Sequence, residues 1–143
     1  MQVVLPLLEQ ETLKEQLIRH EGIRHELYEC TGGFTSIGVG RNLEAKGISF
    51  EEAMYLLDND IKEYVEEVKN RIPLFDTLST NRQNVLVNMA FNLGIYGLLR
   101  FKKMLLAVEK QDWDEAANQM LDSRWSKQVG NRSKELADIM RQG

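Results

Sequence analysis

The feature that most constrains this fold is a long run of apolar residues at helical spacing. Phe50, Ala53, Met54, Leu57, Ile61, Tyr64 and Val68 recur every three or four positions until Pro73 stops the pattern. Ser49-Phe50-Glu51-Glu52 opens the run as a capping box, in which the serine hydroxyl and the glutamate carboxylate satisfy orphan N–H groups at the helix start. About twenty residues at about 1.5 Å each make a rod about 30 Å long, enough to join two lobes. The chain has 143 residues. That is one domain's worth, and such a length buries about 68–70% of its unfolded surface.

Most of the remaining chain also reads as helix. Thr12-Leu13-Lys14-Glu15 is a second capping box, opening a helix to about His20 that Gly22 is placed to end. Thr80-Asn81-Arg82-Gln83 opens a third, with Val85, Leu86, Met89, Ala90 and Leu93 as its buried stripe. Further helices are expected at Leu98–Val108, Trp113–Leu121 and Arg132–Met140. Between the first helix and the long one the pattern changes. Tyr28, Phe34, Thr35, Ile37 and Val39 are strand formers, and Gly32-Gly33 supplies a turn. A three-residue loop at Thr31–Gly33 would set Cys30 opposite Phe34 and Tyr28 opposite Ser36, placing Cys30 and Ser36 on one face. A two-residue loop at Gly32-Gly33 would instead turn Ser36 away. Gly38 and Gly40 bracket a second bend, leading to a third short strand at Arg41–Leu43.

The fold class expected is therefore α+β, mostly helical. A small β-hairpin lobe (22–48) is joined by a connecting helix (49–71) to a helical lobe (12–21 and 72–143), with a cleft between the lobes for a ligand. Hydrophobic content of 43% and charged content of 28% suit a soluble globular protein. The single cysteine excludes an internal disulfide. A formal charge of −4 argues against nucleic-acid binding, and also sits awkwardly with an anionic polymer as substrate. Residues 1–8 lack the cationic flank of a signal peptide, and no stretch is long enough to span a membrane.

Glu21 falls at the expected end of the first helix, where the macrodipole disfavours a carboxylate. Cys30 and Ser36 follow on the hairpin. A carboxylic acid facing two polar side chains suits glycosidic bond cleavage, which needs a proton donor on one side and a water activator or nucleophile on the other. Other chemistries are weaker. His20 and His25 beside a lone cysteine suggest a cysteine hydrolase, but no Asn or Asp motif supports it. The same histidines have no ligand-spaced partner for a metal. Trp113 and Trp125 sit at core spacing with Ala116, Ala117 and Leu121.

The segment from Glu21 to Gly40 resembles the phage-type lysozymes, muramidases of tailed bacteriophages and prophages. Their signature is a Glu, eight residues, an Asp or Cys, five residues and a Thr. Glu21, Cys30 and Ser36 stand at those positions, using the cysteine option and replacing threonine by serine. The resemblance continues through Asn88–Gly94, Trp113–Ala117 and Ser123–Trp125 to Asn131-Arg132. It implies hydrolysis of the β-1,4 bond between N-acetylmuramic acid and N-acetylglucosamine, with Glu21 as the acid. Cys30 would deprotonate a water or stabilise the oxocarbenium ion, and Ser36 would hold that water. Phe91, Asn92 and Gln119 match sugar-site positions, and Arg132 matches an arginine that pairs with the catalytic glutamate. A His–Asp ion pair of the family maps to Arg41 and Asp60. No cofactor and no metal are implied. The expected partner is bacterial peptidoglycan, met by a monomer in the host cytoplasm that reaches the wall after holin-type release. A lysozyme-like wall-binding protein without turnover is the rival reading.

Overall fold

Thr12 behaves as its capping box requires. Glu15 N–H donates to Thr12 Oγ1 at 3.1 Å and Thr12 N–H donates to Glu15 Oε1 at 3.1 Å, starting α1 (Leu13–Glu21). Gly22, at φ 77°, ends that helix and turns the chain into a sheet. The computed structural model describes residues 10–143. Residues 1–9, on which the reading of the N-terminal segment rests, lie outside the described residues. The sheet is antiparallel, in the order β1 (Arg24–Glu29), β2 (Thr35–Gly38), β3 (Arg41–Asn42).

The hairpin adopts the three-residue loop. Tyr28 pairs with Ser36 and Glu29 with Thr35, while Cys30 N–H donates to Phe34 O at 2.9 Å. Gly33 N–H closes the turn on Cys30 O at 2.8 Å, and its φ of 83° is the left-handed position that ends such a loop. A Cβ on Gly32 would stand 2.7 Å from the Phe34 ring, which would have to shift. The register slips between Arg24 and Tyr28, where β1 carries extra residues against β2. β3 stops one residue short of the expected Leu43. Asn42 instead caps a short helix, α2 (Leu43–Lys46), its Oδ1 accepting from Ala45 N–H at 3.1 Å.

The long helix α3 runs from Phe50 to Arg71. Its capping box forms as the sequence implies, with Glu52 N–H on Ser49 Oγ at 3.1 Å and Ser49 N–H on Glu52 Oε1 at 2.7 Å. The chain divides into two compact units, one reaching to Met54 and the other Tyr55–Gly143, with α3 running from the first into the second.

In the second unit a 3₁₀ turn (Phe75–Thr77) precedes α4 (Thr80–Leu99). Its cap is Ser79, one residue earlier than the sequence suggested, because Arg82 N–H reaches Ser79 Oγ at 3.2 Å. Gln83 takes a tertiary role, donating to Phe75 O at 2.8 Å. Gly94, at φ 79° and ψ 163°, kinks α4. The expected helix from Leu98 to Val108 is broken at Arg100–Phe101, and α5 begins at Lys102 and ends at Glu109. The break sets the Phe101 ring edge-on to Trp125, centroids 5.9 Å apart. α6 (Trp113–Leu121), α7 (Arg124–Val129) and α8 (Asn131–Gln142) follow. α7, only six residues long, is too short for periodicity to reveal.

α6 packs on both α5 and α8. Leu86, Met89, Leu98, Met104, Met120 and Met140 are buried between these helices. Arg82 locks α4 to the chain end, donating to Met140 O at 2.7 Å and Arg141 O at 3.1 Å while its guanidinium stacks 3.7 Å above the Trp113 ring. No helix of the described residues is long and apolar enough to cross a membrane.

Candidate active site

Glu21 is the last residue of α1 and is exposed. Its carboxylate lies against the bend between β2 and β3: a Cβ built on Gly40 would stand 3.0 Å from Glu21 Oε2 and 3.2 Å from its Cδ. The helix end and the second glycine bend, far apart in sequence, are thus brought together in the first unit.

Cys30 and Ser36 belong to the same unit. The register sets them as diagonal neighbours on one face of the hairpin. Ser36 is 2% exposed and Cys30 is half-buried. The backbone N–H of Phe34 first, then that of Gly32, hold the Cys30 thiol below the ordinary cysteine range; partial burial opposes them and the Ser36 hydroxyl assists. The turn's own amides, not a nearby arginine, lower the thiol's value. Arg24 lies over the Tyr28 ring at 4.7 Å. Arg41 donates to Gly47 O at 3.1 Å and to Glu52 Oε1 at 3.0 Å, and its second terminal nitrogen bonds Glu52 Oε2. The Arg41–Asp60 pair is accordingly corrected. The guanidinium takes Glu52 because the capping box already holds that carboxylate in the first turn of α3, just after the bend that carries Arg41.

Thr35, next to Ser36, is fastened by Glu44, whose Oε1 accepts from Thr35 N–H at 3.1 Å and Thr35 Oγ1 at 2.8 Å. These bonds, the hydroxyl first, hold the Glu44 carboxyl below the usual range.

The residues that the resemblance matches to a sugar site, Phe91, Asn92, Gln119 and Arg132, all lie in the second unit. Phe91 is 42% exposed and tilted against Tyr64, ring centroids 5.3 Å apart. The next residue, Asn92, accepts the Trp125 indole N–H at 2.7 Å. Gln119 donates to Glu115 at 3.0 Å and borders a depression of about 640 Å³ together with Trp125, Phe101 and Arg124. Arg132 forks onto Asn88 Oδ1, at 3.1 Å from Nε and 2.7 Å from Nη2. Trp125 thus joins Asn92 and Gln119, and Asn88 anchors Arg132. The sequence reads Trp125 as a core residue, which its burial bears out. Its bond to Asn92 and the hold of Asn88 on Arg132 span distances along the chain that no local pattern shows.

The arrangement is an acid at a helix end, and a thiol and a hydroxyl side by side on a small sheet. The phage lysozyme profile matches residues 18–142. The chain belongs to the phage lysozyme family. It is 28% identical over 160 residues to the pre-baseplate central spike protein Gp5 of Enterobacteria phage T4, covering 92% of this chain and 28% of that protein. It is 26% identical over 162 residues to the probable T4-type lysozyme 1 of Dictyostelium discoideum, covering 92% of this chain and 95% of the relative. A second such Dictyostelium protein, probable T4-type lysozyme 2, matches to the same extent. Against the spike protein the chain thus spans little more than a quarter of the relative's length. The α+β fold, a three-stranded sheet with mostly helical surroundings, accords with the family.

Proposed function

We propose that the protein is a peptidoglycan hydrolase that cleaves the β-1,4 bond between N-acetylmuramic acid and N-acetylglucosamine. The observation that carries this reading is the amide-cradled Cys30 beside buried Ser36, in one unit with the helix-end Glu21. Glu21 donates its proton to the glycosidic oxygen as the C–O bond breaks. The Cys30 thiolate takes a proton from a water that Ser36 orients, and the resulting hydroxide adds to the anomeric carbon. One water is consumed per bond, and both groups regain their starting protonation by exchange with solvent. Phe91, Asn92, Gln119 and Arg132 bind the glycan. The enzyme acts on the wall after a membrane lesion releases it.

The decisive test is clearing of a Gram-negative cell-wall suspension by wild type and by Glu21→Gln. The amide is nearly isosteric but carries no transferable proton, and general acid catalysis is worth about 10²–10⁴-fold, so clearing should all but cease. Retention of more than about a tenth of the rate would remove Glu21 from the acid's role. The rival, a wall-binding protein without turnover, is favoured by the net charge of −4 and by the lack of a carboxylate at position 30. It requires co-sedimentation with sacculi and no release of reducing ends.

A further inference from the structure

The bend after β2 holds two glycines at nearly the same backbone angle, Gly38 at φ 69° and Gly40 at φ 65°. Their surroundings differ. A Cβ at Gly38 would meet nothing within 4 Å, whereas one at Gly40 would meet Glu21 Oε2 at 3.0 Å, Cδ at 3.2 Å and Cγ at 3.4 Å. The positive φ accounts for a glycine at either position. It does not account for the carboxylate occupying the volume that any other residue at 40 would fill.

We infer that Gly40 is a positioning residue for the acid: its missing side chain forms the seat in which the Glu21 carboxylate is held. The inference rests on Glu21 being the proton donor. A methyl at 40 would push Oε2 and Cδ away from that seat, since contacts at 3.0 to 3.2 Å are tighter than packed atoms accept. The carboxylate sits on the short, exposed C-terminal turn of α1 and can yield, so the displacement falls on the acid. The carboxylate must give by a few tenths of an ångström. Since a misplacement of about 1 Å of a reacting group costs about 10²-fold in rate, the expected loss is about 3- to 10-fold.

The two glycines supply a matched pair. Gly38→Ala and Gly40→Ala add the same methyl at the same kind of strained φ, so both should lower Tm alike. On solubilised glycan strands Gly40→Ala should lose about 3- to 10-fold in kcat at unchanged KM, with Gly38→Ala within about twofold of wild type. In a Glu21→Asp background, where the carboxylate is withdrawn by one methylene, adding Gly40→Ala should cost less than about twofold, a coupling a purely structural glycine would not show. Should either alanine variant fail to fold, the Gly38→Asn and Gly40→Asn pair, which tolerates positive φ better, repeats the comparison. Equal kcat losses at the two positions, or a Gly40→Ala loss undiminished by Glu21→Asp, would overturn the inference while leaving an inactive Glu21→Gln intact. An active Glu21→Gln enzyme would remove the acid and its seat together.

Discussion

Cys30 poses a question of protonation. In the proposed mechanism Glu21 carries its proton while Cys30 has lost its own, so only the fraction of molecules in both states is productive. An ordinary thiol titrates near about 8.5, which would leave that fraction small. The amides of Phe34 and Gly32 lower the thiol's value and enlarge it. Alkylation of Cys30 by iodoacetamide should therefore rise with pH through a midpoint below the ordinary thiol value of about 8.5. Activity should be lost in parallel with that alkylation. Cys30→Ser should lose most activity, whereas Cys30→Asp should equal or exceed wild type. A Cys30→Ser enzyme that clears walls at the wild-type rate would mean the sulfur has no chemical part.

At the scale of elements, one carboxylate ties the hairpin to the start of α3. Glu52 receives the Ser49 N–H and the Arg41 fork, and the Ser49 amide chiefly holds its carboxyl below the usual range. A lowered folded value means that the stabilisation is complete above the unfolded carboxylate range, about 4.3, and is lost as pH falls through the folded value. Glu52→Gln should thus flatten the acid side of the Tm–pH curve below about pH 4.5. Parallel wild-type and variant curves would show that Glu52 contributes nothing to it. In the second unit Arg82 joins α4 to the carbonyl end of α8 and stacks on Trp113. Arg82→Ala leaves those carbonyls without their charged donor and should cost about 1.5–3 kcal/mol, read from the urea midpoint. Arg82→Lys should recover little of the loss, because an ammonium has neither the fork nor the flat face. Full recovery by lysine would reduce the contact to simple charge.

Across the whole molecule, burial is uneven. Among the described residues every buried hydrophobic side chain falls between Val68 and Met140, while the first unit's only fully buried residue is Ser36. Stability tracks apolar burial, so the two units should open at different free energies. Hydrogen exchange should protect the amides around Leu86 and Met89 most strongly and those of β1 least. Met89→Ala, at a fully buried site, should cost about 2–5 kcal/mol in global stability. Equal protection of β1 and the first turns of α4 would overturn this division. The thinly buried first unit carries Glu21, Cys30 and Ser36, the groups proposed to catalyse.

Local chemistry by itself determined where helices begin. Thr12 and Ser49 cap where their boxes stand, because each bond closes within three residues and needs no tertiary partner. Even the misplaced third cap is off by one position only. The Glu21, Cys30 and Ser36 spacing and the family it indicates are likewise a matter of order along the chain. Composition left two hairpin registers open, and the structure takes the one in which Gly33 turns left-handed and Ser36 is buried beside Cys30. The break at Arg100–Phe101, the choice of Glu52 over Asp60 by Arg41, and the Trp125 bond to Asn92 depend on groups distant along the chain. So does the seat at Gly40: the motif names an acid, but only folding brings the backbone of a bend nineteen residues later against its carboxylate. No periodicity encodes such a meeting, since its partners belong to different elements and touch only once the tertiary fold is formed.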